Sequence, residues 1–288
     1  ERAANYGMVI SVPKGDAPQI PTFPAPLPWK NILISLTKTG DEGQWDQAFR
    51  VKSPVTVHVY AVGEGTRNEG MVDTGWILDA KTRKRVWEMT SDKAQYAGGG
   101  TKNRRLVETI KLPAGEYVAS FVADDSHSPA DWNVAPPCDP LLYGLTVALP
   151  QDAEVSQVAL MEPKAPGAVL AELIRARDEK TYRAEFRLKS DQPLRVYAIG
   201  EGRNGKMADY AWIEDAASGR KVWTMAFANS HHAGGARKNR LVDERITLPK
   251  GSYTVHFRTD DTHAYGDWNA DAPRDREHYG VTVQALAD

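Results

Sequence analysis

At 288 residues the chain is about twice the commonest domain length, which divides it most simply into two domains. A net charge of −2 excludes a global field that would gather nucleic acid or an anionic membrane, and a single cysteine, Cys138, excludes an intrachain disulfide while leaving the redox compartment open. No apolar run approaches the ~18 residues that a membrane-spanning helix needs.

In chain order, the opening "ERAANYGMVI" lacks the basic and apolar regions of a signal peptide. "NYGMVISVP" at Asn5 to Pro13 mirrors "LYGLTVALP" at Leu142 to Pro150, with Tyr6 lying 137 residues before Tyr143. Residues 1–28 are therefore read as the last strand of a preceding repeat followed by a linker carrying six prolines, and the chain as a piece of a longer protein. A lone strand has no stability of its own, so this one is expected to pair with an open sheet edge here or on a neighbour.

Residues 29–150 form a first unit with strands expected near 31–37, 46–52, 55–62, 73–79, 84–89, 106–111, 116–123 and 143–149. Alternation such as Val55, Val57, Val59 and Ala61 places one apolar face on each strand. Residues 151–166 read as a linker, and 167–288 as a second unit with strands near 169–176, 182–189, 193–200, 209–215, 220–225, 242–248, 252–259 and 279–285. The second unit repeats the first: "VYAVGEG" returns as "VYAIGEG", "WILDA" as "WIEDA", "AGGGTKNR" as "AGGARKNR" and "YGLTV" as "YGVTV", at an offset of 136 or 137 throughout. Gly-Glu-Gly, Ser218-Gly219, Gly234-Gly235 and Pro-x-Gly punctuate the strands as turns. "GAVLAELIRARDEKTYRAEF" could pass for a helix, but its counterpart carries Gly40 and Gly43, so both are read as strand, turn, strand. The fold class is all-β: two tandem antiparallel β-sandwich domains of jelly-roll type.

The step "LPAGEY", returning as "LPKGSY", reads as a tight turn in which proline sets the first corner, glycine supplies a positive φ and tyrosine starts the returning strand. With this turn and the strand after it, each unit resembles the small sandwich domains of secreted bacterial proteins, namely pre-peptidase C-terminal domains and carbohydrate-binding-like modules. That resemblance implies an accessory, adhesive or substrate-targeting role in a secreted, periplasmic or cell-surface setting.

The polar motifs lie in the loops. "ADDSHSPADWN" and "TDDTHAYGDWN" gather Asp124, Asp125 and Asp131 in one unit and Asp260, Asp261 and Asp267 in the other. Several oxygens within so short a stretch suit calcium, although the spacing is not that of an EF-hand; the competing reading is Asx-turns that tie down the loop over a buried Trp132 or Trp268. His127 and His263, at matching positions, are expected to bond the neighbouring aspartates and lock the loop. "AGGGTKNR" and "AGGARKNR" place Lys102, Arg104, Lys238 and Arg240 beside flexible glycines, either as an anion-binding nest or as cations pairing with the Asp-rich loop. Trp76, Trp87, Trp212 and Trp223 are expected in the core, with a sugar-stacking platform as the alternative, and Glu64 and Glu201 as solvated turn acids. A Ser-His-Asp hydrolase is disfavoured because Thr262 replaces Ser126 in the second copy, and a carboxylate-pair glycan hydrolase because nothing fixes the separation of the acids. The expected role is a non-enzymatic binding module for a polysaccharide or extracellular protein, with tandem copies gaining effective concentration. The alternative is an assembly subunit that self-associates through its N-terminal strand.

Overall fold

Val55, Val57 and Val59 are buried while Thr56 and His58 between them face outward, so alternation in the sequence becomes a two-faced strand as expected. The computed structural model describes residues 31–37, 39–66, 70–162 and 167–286; the stray strand at 5–13 and the proline-rich linker lie outside them. In the first unit the strands are β1 Asn31–Thr37, β2 Gln44–Val51, β3 Val55–Thr66, β4 Gly70–Met71, β5 Thr74–Asp79, β6 Arg85–Glu88, β7 Gln95–Tyr96, β8 Asn103–Leu112, β9 Gly115–Val122, β10 Gly144–Leu149 and β11 Val158–Met161. The second unit has β12 Val169–Leu173, β13 Thr181–Leu188, β14 Gln192–Arg203, β15 Lys206–Met207, β16 Tyr210–Asp215, β17 Lys221–Thr224, β18 His231–His232, β19 Asn239–Leu248, β20 Gly251–Arg258 and β21 Gly280–Ala285. Among the described residues no helix is long and apolar enough to cross a membrane.

Each unit is two antiparallel sheets facing one another. The first unit stacks β1-β10-β3-β8-β7 on β11-β2-β9-β5-β6, and the second stacks β12-β21-β14-β19-β18 on β13-β20-β16-β17. Numbering only the eight main strands of a unit, the sheets read 1-8-3-6 and 2-7-4-5, the order of a jelly roll. Phe49, Phe121, Tyr143 and Leu145 fill the first core, and Phe257, Tyr279, Val196 and Val283 the second.

Four local readings are corrected by the structure. Gly63-Glu64-Gly65 is not a turn: β3 runs through it, because a side chain at Gly63 would meet the Asp73 carbonyl oxygen at 2.2 Å, and two neighbouring backbones can pass closely only over glycine. Gly115 opens β9 and is absent from the positive-φ glycines; the turn is closed instead by the Tyr117 hydroxyl, which donates to the Pro113 carbonyl at 2.9 Å, as Tyr253 does to Pro249 at 2.7 Å. Trp87 and Trp223 are core residues, but Trp76 and Trp212 point to the outer face of their sheets and are half-buried. The stretch read as a linker contains β11, which pairs with β2 from Val158↔Val51 to Met161↔Ala48. In the second unit the corresponding edge strand, β13, pairs only with β20 among the described residues.

The units meet through unlike faces. The outer face of the first unit's β2-β9-β5-β6 sheet looks onto the outer face of β14, β19 and β21, and a cleft of about 1430 Å³ lies between them. At this seam Asp243 of β19 accepts a two-pronged hydrogen bond from Arg195 of β14, at 2.8 and 3.0 Å, and another from Arg83 of the first unit. Arg245 donates to the Lys81 carbonyl at 3.1 Å and His231 approaches Glu88 at 3.4 Å.

Candidate functional site

The rim of each sandwich is built around one asparagine. Asn103, fully buried, donates through Nδ2 to the carbonyls of Gly98 at 2.7 Å and Ala135 at 2.9 Å, and its Oδ1 faces His127 Nε2 at 2.5 Å. Asn239 repeats the set with Gly234 at 2.8 Å, Asp271 at 2.9 Å and His263 Nε2 at 2.6 Å. Two carbonyl acceptors fix which end of each asparagine amide carries the protons, so each histidine Nε2 must donate. His127 Nδ1 also lies 3.0 Å from the Asn133 Oδ1, whereas His263 Nδ1 is buried without a hydrogen-bond partner, which makes that ring the neutral Nε2–H tautomer. Both histidines are fully buried with φ of +67° and +62°, and each stands edge-on to the tryptophan of its motif, Trp132 at 4.8 Å and Trp268 at 5.0 Å. Burial, then the nearby Lys238, pulls His263 down to about 4, and burial, then Lys102, lowers His127. The expected His–Asp lock is thus a His–Asn lock. The two loops do close one end of the sandwich, but through amides and backbone rather than through ion pairs.

The lysines and acids sort differently from the expectation. Lys102 Nζ lies 3.0 Å from Glu64 and Lys238 Nζ 3.1 Å from Glu201, and Lys238 also donates to Asn269 Oδ1 at 2.5 Å. Glu64 is 9% exposed, so it is a buried partner and not a solvated turn acid. Asp124 and Asp260 each accept from the backbone two residues on, Ser126 and Thr262, at 3.1 Å, which is the Asx-turn reading. Those two also join clusters, Glu64–Asp73–Asp124 and Glu201–Asp209–Asp260, whose carboxylate oxygens lie within 4.8 Å of one another. Asp125, Asp131, Asp261 and Asp267 stay exposed and outside these clusters. In each cluster an ammonium already supplies a countercharge.

At the heart of each cluster sits an acid that the sequence reading passed over. Asp73 and Asp209 are fully buried; each accepts from a core tyrosine, Tyr143 or Tyr279, and from the amide of Asp124 or Asp260 at 2.8 Å. Burial outweighs the tyrosine hydrogen bond and pushes Asp73 up to about 8 and Asp209 up to about 7. Both acids and both tyrosines recur at the 136-residue offset, which is the signal that would have found them. A raised folded pKa contributes stability that is full below the ordinary 3.8 and is lost as pH rises through about 8 for Asp73. Asp73→Asn keeps the shape without the charge, so its stability relative to the wild type should climb by ~1.4 kcal/mol per pH unit between about pH 5 and 8, then level off. Urea titrations at a series of pH values would show this; a constant difference would mean that Asp73 is ionised in the folded protein.

Arg104 and Arg240 match in sequence but not in role. Arg104 donates to its own hairpin, at Thr101 and Asn103. Arg240 donates to Ser230 and stacks on Phe227 at 4.2 Å. The glycine hairpin's amides face the neighbouring segment, with Gly100 N–H bonded to the Ala135 carbonyl at 2.8 Å and Ala236 N–H to the Asp271 carbonyl at 3.0 Å.

A large concave feature is the cleft between the units. Its walls carry Trp76, with the Arg85 guanidinium 4.2 Å above the ring, and Tyr197, with Arg195 at 5.1 Å. On the first unit β9 turns Val118, Ser120 and Val122 toward it, whereas the equivalent face of β20 shows Thr254, His256 and Arg258. No protein-family model matches the chain, and no curated protein matches it. Among solved structures it is similar to the stem and receptor-binding domain of spike protein P1 from bacteriophage PM2, at 9% identity over 86% of this chain and 98% of that one, with a TM-score of 0.18. A superposition that loose assigns no role, so the fold rests on the strand order itself: two tandem jelly rolls.

Proposed function

We propose that the chain is a non-catalytic, exported or surface-displayed binding module that takes a polysaccharide in the cleft between its two sandwiches. The observation that carries this reading is the cleft wall, where two partly exposed aromatic rings stand among charged and amide side chains that can hydrogen-bond sugar hydroxyls. The matched polar loops support it indirectly, because their groups are spent on one another. The full chain should bind members of a glycan array, and Trp76→Ala should weaken that binding about tenfold, the worth of one stacked ring. Retention of surface or matrix proteins with no glycan binding would overturn the sugar reading.

A second reading, an assembly subunit, is favoured by the edge of β13, which among the described residues has no outer strand such as β11 gives β2. An added strand from a neighbour would supply main-chain hydrogen bonds there. If the segment 1–28 does this, its deletion should lower the solution mass; an unchanged mass counts against the reading.

A further inference from the structure

Arg274 sits in the wall of the cleft with too few partners. Its backbone N–H is anchored to the Ala233 carbonyl at 3.0 Å, and its side chain lies across Gly234, where an added Cβ would meet Arg274 Cβ at 3.0 Å and Cζ at 3.3 Å. Its Nη2 reaches the Val72 carbonyl of the other unit at 3.3 Å; its Nε is fully enclosed and has no hydrogen-bond partner. No carboxylate comes within 4.0 Å among the described residues, although Asp73 and Asp124 act on it from farther away. Arg85, the guanidinium over Trp76, is close enough to repel it. Taking a guanidinium out of water without a paired anion is unfavourable unless something else meets the charge.

The duplicate supplies the contrast. Cys138 holds the matching place in the first unit, with the same backbone bond, to Ala97 at 2.9 Å, and the same position over a glycine, Gly98. The scaffold therefore does not require an arginine. It is found only in the copy whose loop turns into the cleft.

We propose that Arg274 receives an anionic substituent, a uronate carboxylate or a sulfate ester, of an acidic polysaccharide lying in the cleft. This rests on the binding reading above and names the ligand's chemistry. The remaining guanidinium N–H groups of Arg274 can donate to either oxyanion, and Trp76 in the same cleft, beneath the Arg85 guanidinium that pairs with Glu88, offers a surface for the sugar.

The test is calorimetric titration of the full chain with three oligosaccharides of one length: an oligogalacturonide, a sulfated oligosaccharide and a neutral one. One or both acidic probes should bind, which distinguishes carboxylate from sulfate, and the neutral probe should bind at least about tenfold more weakly. Arg274→Gln should remove that preference with little change in melting temperature, since the charge it deletes has, among the described residues, no carboxylate within 4.0 Å and one long hydrogen bond, to Val72. On the unaltered protein, inorganic sulfate should compete better than chloride at equal ionic strength. Equal binding of neutral and acidic probes, or an unaltered preference in Arg274→Gln, overturns this inference and leaves the binding module standing. Failure of every saccharide overturns both, and binding of polyglutamate as tight as the acidic sugars overturns the saccharide part.

Discussion

Replacing Asn239 with alanine is expected to cost the second unit about 3–5 kcal/mol, a large share of the stability of a domain this size. The change strips the Gly234 and Asp271 carbonyls of their donor and leaves the His263 Nε2–H unpaired in a fully buried site. Each stranded group costs ~1–3 kcal/mol, and a network loses more than its separate bonds. Asn103→Ala should do the same to the first unit. Asn133→Ala, which loses one hydrogen bond to His127 at an exposed position that water can refill, should cost only about 1 kcal/mol. Urea unfolding of the three variants checks this, and a loss under ~1 kcal/mol for Asn239→Ala would mean that the rim is held by something else.

Asp243→Ala should uncouple the two sandwiches. Asp243 answers two guanidiniums, Arg83 from one unit and Arg195 from the other, and its removal leaves like charges facing one another at the seam. Breaking a fully buried pair costs ~3–5 kcal/mol, and these side chains keep 17–24% of their surface exposed, so the loss should fall below that range. Burial alone would raise the carboxyl's pKa; Arg195 and then Arg83 overcome that and hold it below the ordinary range. A depressed folded pKa gives stability that is present above the ordinary carboxylate value and lost as pH falls through the folded one, so acid should loosen the seam of the wild type as well. Scanning calorimetry should resolve two transitions in the variant, with a larger radius of gyration in solution scattering. An unchanged profile would show that the seam is held elsewhere.

What could be read from the sequence was what the two copies share. Alternation located the eight main strands of each unit to within a few residues, because a half-buried strand must alternate. The order 1-8-3-6 over 2-7-4-5 is a set of non-local pairings that no local pattern encodes. β11 escaped because four residues, "VALM", between polar stretches carry too short a period. Lys102 was matched to the Asp-rich loop by charge alone, whereas the run of β3 through two glycines brings Glu64 closer. His127 was paired with its neighbours in sequence, whereas its partner, Asn103, comes from 24 residues away.

The cleft was illegible for another reason: its two rings, Trp76 and Tyr197, have counterparts in Trp212 and Tyr60, so they do not stand out, and the charged residues at its seam differ between the copies. Asp243 stands opposite Val107 in the repeat, Arg195 opposite His58 and Arg274 opposite Cys138. Shared residues brace each sandwich. Divergent ones join the sandwiches at the seam.

The bracing role of the rim is tested most directly by nitrogen-15 NMR of the imidazole rings as pH falls from 8 to 4. Both buried rings should carry a slowly exchanging proton on Nε2, and His263 should report the neutral Nε2–H tautomer until pH nears about 4. Titration of either ring near the ordinary 6.5, or an Nε2 without its proton, would place these histidines in contact with solvent, ion or substrate, and the loops would then have to be read as chemistry instead of as structure.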